Sequence, residues 1–255
     1  MKLITLMENT AVSSAFACEH GLSLYLETGG RKILFDAGQS GAFADNAGKL
    51  GVDLGAVELC ILSHGHYDHG GGLARFLEKN SHAKIYVNRH AFEPHYNAAG
   101  KYIGLDLQLQ KNTRLCCTAG GETLGENLRL LTLNTPPTDT SGLTVMENGQ
   151  LQPEDFRHEQ YLLADEDGKR ILISGCSHKG ILNILEAFRP DILVGGFHFM
   201  KIEDRALLEH YARKLLTFPT TYYTGHCTGE PQFAVLKEIM GERLHGISAG
   251  SVAEI

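Results

Sequence analysis

Three imidazoles and one carboxylate fall within six residues of one another in the stretch Ser63-His64-Gly65-His66-Tyr67-Asp68-His69-Gly70-Gly71-Gly72. The stretch follows Glu58–Leu62, an apolar run that reads as a strand, and precedes Leu73–Lys79, which reads as a helix. A strand end is a rigid platform, and the glycines let the backbone turn tightly enough for several side chains to converge. Imidazole nitrogen and carboxylate oxygen are standard zinc ligands. In an extended segment His64 and His66 point to the same side, so they can chelate one ion together. Asp68 and His69 come after the turn and can reach a second ion a few ångströms away. The competing interpretation is a solvated histidine-rich loop. A single His beside an Asp would leave that open, but this series at a strand-to-helix turn argues against it.

The 13 His and 29 Gly stand out in a chain of 255 residues whose other proportions are those of a globular protein. At roughly 150 residues per domain the length allows one large domain or two small ones. No low-complexity segment, internal repeat or linker divides it, so a single domain over residues 1–255 is expected. Such a chain buries about 70% of its unfolded surface and needs neither disulfide nor metal merely to fold. The formal charge of −7 argues against nucleic acid and against anionic membranes, both of which call for a basic face. It leaves room for a small anionic substrate held by a metal. No apolar run approaches the roughly 20 residues of a membrane span. The first residues, Met1–Asn9, meet an acid at Glu8 too soon for a secretory signal. Six cysteines, at 18, 60, 116, 117, 176 and 227, form no CxxC pair. They read as reduced thiols of a cytoplasmic protein. Nothing in the composition sets the oligomeric state, and a homo-oligomer is compatible with it.

The pattern of elements changes along the chain. Strand-like runs come first, at Lys2–Met7, Leu22–Thr28 and Arg31–Phe35, the last two joined by a Gly29-Gly30 hairpin turn. Lys84–Asn88 is a further strand. From about His90 to Gly125 no period is sustained, which suggests a long loop or small insertion over a site. Strands resume at Leu128–Leu133, Thr144–Glu147, Gln160–Ala164 and Lys169–Ser174, with a turn at Asp165-Glu166-Asp167-Gly168. After that, helices at Ile181–Phe188, Glu203–Leu216 and Pro231–Met240 alternate with strands at Asp191–Val194 and Thr220–Tyr223. Two sheets packed face to face with helices outside, a four-layer αββα sandwich of the α/β class, accommodate this order.

The HxHxDH stretch resembles the signature of the metallo-β-lactamase superfamily, as does Leu34-Phe35-Asp36-Ala37-Gly38 upstream. Four stretches resemble one branch, named after 7,8-dihydropterin-6-methyl-4-(β-D-ribofuranosyl)aminobenzene 5′-phosphate synthase. They are Glu19-His20-Gly21-Leu22-Ser23, Ser174-Gly175-Cys176-Ser177-His178-Lys179-Gly180-Ile181, Gly195-Gly196-Phe197-His198 and Gly225-His226-Cys227-Thr228-Gly229. The resemblance implies the αββα fold and two divalent metal ions. Zinc comes first, and manganese and iron are also compatible with the ligand types.

It also implies more ligands than the first motif supplies. The superfamily's third His sits in a Thr-Pro-Gly-His stretch; the nearest match, Asn134-Thr135-Pro136-Pro137, has none. Cys176 stands where the bridging acid normally sits, and His178 is placed to supply the missing imidazole. For Cys176 a small buried apolar role is the alternative, and for His178 a place beside a helix start. Two residues compete for the closing ligand. His226, in its Gly-His-Cys-Thr-Gly turn, resembles that ligand, which leaves His198 as a substrate-facing donor; the reverse assignment stays open. Asp36 is expected to buttress a ligand imidazole, and Glu19 and His20 to line the pocket; turn positions are the alternatives. His90, His95 and Tyr96 are candidates to roof the cleft. His82, His158, His210 and His245 read as surface or packing residues.

Two divalent cations lower the pKa of a bridging water toward neutrality and stabilise charge on the reacting oxygen. Asp68 is placed to orient that water or accept its proton. The expectation is a metal-dependent hydrolase acting on a phosphoester, or on a phosphate-bearing pterin-type small molecule. The alternatives are a lactone, thioester or lactam hydrolase and a non-catalytic metal-binding domain. The oxygen-reducing di-iron branch usually has Glu where His66 stands, which favours hydrolysis over redox work.

Overall fold

The computed structural model describes residues 1–138 and 142–255. In chain order its elements are β1 Lys2–Met7, β2 Ser23–Thr28, β3 Arg31–Phe35, α1 Ala42–Lys49, β4 Leu59–Ile61, α2 Tyr67–Gly70, α3 Leu73–Lys79, β5 Lys84–Asn88, β6 His95–Tyr96, β7 Leu115–Thr118, β8 Thr123–Gly125, β9 Leu128–Leu131, β10 Thr144–Glu147, β11 Gln150–Pro153, β12 Tyr161–Glu166, β13 Lys169–Ile173, α4 Ile181–Phe188, β14 Ile192–Val194, α5 Arg205–Leu215, β15 Thr221–Thr224, α6 Glu230–Met240, β16 Leu244–Gly246 and β17 Val252–Glu254. The first large sheet runs β17-β1-β2-β3-β4-β5-β7 and the second β16-β15-β14-β13-β12-β9-β8; a small third sheet runs β11-β10-β6.

The four layers follow from the two-residue period of the strands. On β3, Ile33 and Phe35 face the second sheet while Leu34 faces α1 and α3. On β4, Leu59 and Ile61 point inward and Cys60 outward. The second sheet repeats the rule: Ile171, Ile173, Ile192 and Val194 meet the first sheet, and Leu172 and Leu193 meet α4, α5 and α6. Strands covered on both faces read as unbroken apolar runs, which is why β4, β13 and β14 show so little alternation in sequence. No helix among the described residues is long and apolar enough to cross a membrane.

Several boundaries move for identifiable reasons. The Gly29-Gly30 hairpin is present, with both glycines at positive φ. The turn expected over Asp165–Gly168 closes only at Asp167-Gly168, again both at positive φ, so β12 runs on through Asp165 and Glu166. Helix α5 begins at Arg205 because the Asp204 carboxylate accepts the backbone N–H groups of Ala206 and Leu207. Helix α1 has no counterpart in the sequence reading. Thr144–Glu147 is a strand, but it belongs to the small sheet and not to the sandwich. The irregular stretch about 90–125 supplies β6, β7 and β8, and its Ala91, His95, Ile103 and Leu105 are buried.

In the first sheet β3, β4, β5 and β7 run parallel, and in the second β13, β14, β15 and β16 do. The loops past their carboxyl ends carry the motif residues of both sheets. Phe35 is fully buried between the sheets, one residue before Asp36. Phe35→Ala is expected to cost about 3–5 kcal/mol, read as a lowered urea midpoint with an unchanged slope.

Candidate metal centre

One carboxylate organises the loop after β4. Asp36 Oδ1 accepts the Ser63 backbone N–H at 2.7 Å, and Oδ2 accepts the Ser63 hydroxyl at 2.7 Å and His69 Nδ1 at 2.7 Å. The Ser63 hydroxyl has therefore committed its proton. His64 Nδ1, 2.8 Å from Ser63 Oγ, must donate to it. His64 is thus fixed as the Nδ1–H tautomer with a bare Nε2, and His69, its Nδ1 held by Asp36, turns its Nε2 into the site. At the far side of the site His226 Nδ1 donates to Asn9 Oδ1 at 2.9 Å, which bares its Nε2 as well.

The nitrogens that face the site converge. His64 Nε2 lies 3.1 Å from His66 Nδ1, and His69 Nε2 lies 3.1 Å from Cys176 Sγ. Asp68 Oδ2 lies 3.3 Å from His226 Nε2 and 3.6 Å from His69 Nε2. Ligands held at about 2.0–2.3 Å around one tetrahedral ion stand roughly 3.3–3.8 Å apart, so these separations suit a shared cation. Asp68, His69, Cys176 and His226 each offer a ligand atom within 4.8 Å of the others, and so do His64, Cys176 and His178. Cys176 belongs to both groups. All seven residues are buried. His226 Nε2 and both ring nitrogens of His178 have no hydrogen-bond partner, an expensive arrangement unless a cation faces them. Nitrogen, sulfur and carboxylate donors in this number fit a pair of divalent ions.

The loops are held close and under strain. A Cβ on Gly65 would stand 2.0 Å from the Ala91 carbonyl oxygen, and one on Gly175 would stand 2.2 Å from Ser63 Oγ. Asp36, Ser177, His198 and His226 all adopt positive φ, at a cost of order 1–3 kcal/mol each for residues with a side chain.

Burial keeps the rings of His64, His178 and His226 neutral by pushing their pKa values down, and it takes His66 to about 3. His69 goes the other way. Burial opposes its protonation, but the carboxylates of Asp36 and Asp68 prevail and hold it at about 9. Burial likewise opposes ionisation of Asp68, yet His69, His20 and His226 around it keep it well below the usual carboxylate range. Burial and the neighbouring Cys227 thiol push Cys176 well up, so it becomes a thiolate only beside a cation.

His198 lies outside both groups. It is half-buried, with its ring 4.4 Å from that of His178, and it lines a cavity of about 280 Å³ with Thr138, Ser177, Lys201 and Tyr211. A larger cavity, about 640 Å³, opens beside His226 and is edged by Asn9, Glu230, Gln232 and Phe233. His20 sits at the rim with Nε2 3.4 Å from Asp68 Oδ2. Glu19 turns away and spends both oxygens on Ser40. Of the roof candidates, His90 pairs with Glu93, Tyr96 packs edge-on against Tyr102, and only His95 reaches the buried cluster. His82 and His210 are exposed and His245 stacks on Tyr223.

His158 needs correction. It is no surface or ordinary packing residue, but fully buried, with Nδ1 accepting the Gly65 backbone N–H at 2.7 Å between two motif histidines. The sequence reading also missed Glu8, which accepts the backbone N–H of His226, and Glu159, which accepts those of His178 and Lys179. The available signal was polar residues at strand ends: Glu8 follows β1, and His158-Glu159-Gln160 precedes β12.

The sequence pattern of the metallo-beta-lactamase superfamily matches residues 17–213, and the chain belongs to that superfamily. It is similar to the crystal structure of Tm1679, described as a metal-dependent hydrolase of the beta-lactamase superfamily, with a TM-score of 0.85 at 30% identity over 100% of this chain and 99% of that one. The uncharacterised protein MJ0448 of Methanocaldococcus jannaschii is 30% identical over 215 residues, 79% of this chain and 81% of its own. The 7,8-dihydropterin-6-methyl-4-(beta-D-ribofuranosyl)-aminobenzene-5'-phosphate synthase of the same organism is 26% identical over 281 aligned positions, 99% of this chain and 96% of its own.

For a cation held by this cluster, the raised pKa values of His69 and Cys176 would set the pH dependence of binding. Below about pH 9 His69 must lose a proton to bind a cation, and Cys176 must lose one throughout the neutral range. Zinc binding at pH 7 is expected to release about two protons, and affinity should strengthen as pH rises toward 9. Calorimetry in buffers of different ionisation enthalpy measures the release. A value near zero would remove both residues from the ligand set.

Proposed function

We propose that the chain is a dinuclear metal-dependent hydrolase acting on a phosphoester or a phosphate-bearing pterin-type small molecule. The observation that carries this reading is the sharing of Cys176 between two groups of buried donors. In this reading His64 and His178, joined by His66 through the Nδ1 that lies 3.1 Å from His64 Nε2, would hold one ion, Asp68, His69 and His226 would hold the other, and Cys176 would stand between. Two divalent ions there would supply Lewis acidity and make water a nucleophile near neutral pH. Zinc suits a set containing a thiolate, and manganese and iron are also compatible.

The chain's own residues supply the rest. Asp68 stays ionised among three imidazoles, so its carboxylate can hold a proton acceptor in place. Asp36 and Asn9 fix the tautomers of the rings that face the ions. His198 stands in the smaller cavity beside His178, where an imidazole can donate to a leaving group. The larger cavity is edged by Glu230, a carboxylate that disfavours an anion there. The name of the 26%-identical relative favours a second reading, a bond-forming step on a phosphate-bearing aminobenzene and a pterin. Both readings use the same smaller cavity.

The zinc- or manganese-loaded protein is expected to turn over bis-p-nitrophenyl phosphate and to leave nitrocefin and a thioester intact. Full metal loading with no phosphoester turnover, joined by a coupled product from a pterin and a phosphorylated aminobenzene riboside, would replace hydrolysis by the second reading.

Substitutions separate the roles. His66→Ala and Asp68→Ala should abolish turnover with the fold retained. His226→Ala should lose one metal per chain. His198→Ala should keep both metals and slow the single-turnover rate about 10²–10⁴-fold. Metal loss in His198→Ala but not in His226→Ala would exchange the two assignments.

A further inference from the structure

Beside His66 lies another buried cluster of donor residues. It comprises the rings of His66, His95 and His158 and the carboxylate of Glu154, with one ligand-type atom from each within 4.8 Å of the others. The Nε2 atoms of all three rings have no hydrogen-bond partner. A third cation is the obvious occupant, but the tautomers oppose it. His158 Nδ1 accepts the Gly65 N–H at 2.7 Å, so neutral His158 carries its proton on Nε2, which lies 3.7 Å from Glu154 Oε1. His66 carries a proton on Nε2 too whenever Nδ1, the nitrogen facing His64, binds a metal. Two of the three Nε2 atoms are then donors, and a cation would require both imidazoles to become anions.

His95 is polarised the opposite way. Its Nδ1 lies 2.6 Å from Glu154 Oε2. A carboxylate only accepts, so Nδ1 holds the proton and Nε2 is a lone pair. Two donors thus share one buried cluster with two acceptors, His95 Nε2 and the carboxylate.

We infer that His95 and Glu154 are positioning residues that hold the proton on His66 Nε2 and so present His66 Nδ1 to the metal. The inference rests on the metal-centre reading for its consequence, while the polarity of His95 can be read without metal. It also gives the small third sheet a task. His95 lies on β6, and Glu154 directly follows β11.

Glu154→Gln tests this with a nearly isosteric change. The Phe156 N–H donates to Oε1 at 3.1 Å, which keeps the amide oxygen there and turns the amide NH₂ toward His95 Nδ1. His95 must then accept at Nδ1 and carry its proton on Nε2, which sets donor against donor once His66 Nδ1 binds a metal. Long-range ¹⁵N–¹H spectra of the metal-free protein are expected to show His95 as Nδ1–H in the wild type and as Nε2–H in the variant. Zinc affinity of the His64/His66/His178 half should fall roughly 10–100-fold, with the Asp68/His69/His226 half unchanged. His95→Phe keeps a ring against His158 and removes the acceptor, so it should weaken the same half. An unchanged His95 tautomer overturns the inference. So does equal weakening of both halves, and so does unchanged zinc affinity in His95→Phe, which keeps the Glu154 charge and lacks the acceptor. A wild type that binds no zinc overturns the metal-centre reading instead, and the His95 spectra still decide the polarity.

Discussion

The Asp36 carboxylate is the interaction on which the site depends. It is fully buried at the end of β3 and accepts three donors from the neighbouring strand's loop. Hydrogen bonds to a buried carboxylate are strong and demanding in geometry, and these three fix more than position. Because the Ser63 hydroxyl is spent on Asp36, His64 must be an Nδ1–H tautomer; because His69 Nδ1 is spent there too, its Nε2 faces inward. One acid thereby sets the chemistry of two imidazoles it does not resemble in role.

The same device recurs around the site. Glu8 holds the backbone of His226, Glu159 holds that of His178, and His158 holds that of Gly65. Each loop that carries a candidate ligand is pinned through a main-chain N–H by a buried acceptor from another element. Pinning of this kind permits the positive φ at Asp36, Ser177, His198 and His226, because the surroundings over-determine backbones that would relax if left alone. The inter-sheet core below supplies the rigidity. Its strands are covered on both faces, and the carboxyl ends of the parallel strands in both sheets deliver their loops to one rim.

Local chemistry was legible in the sequence wherever it was written in consecutive residues. His64, His66, Asp68 and His69 could be singled out as donor candidates from their spacing, and the hairpin at Gly29-Gly30 from turn chemistry. The sandwich followed from the order of strands and helices. His158 was not legible. An isolated His before an apolar run carries no sign of the Gly65 amide it meets 93 residues away. Glu8 looked like a reason to reject a leader and turned out to hold the backbone of His226. The stretch about 90–125 showed no period because its strands are short and two of the three pair with strands that are not their chain neighbours: β6 pairs with β10, and β7 with β5.

The sequence by itself determined which donor types are present and the two-residue alternation that splits each strand between two cores. Those depend on neighbours along the chain, where covalent geometry dictates direction. Only the tertiary structure decided which nitrogen of each imidazole faces inward, that Cys176 belongs to two donor groups, and that His226 stands among the donors while His198 stands beside the cavity. A tautomer is set by the partner of the opposite nitrogen, and here those partners are Asp36, Asn9, Gly65 and Glu154, up to 217 residues from the ring they orient. No local pattern encodes such a pairing; it exists only once two sheets have closed on each other.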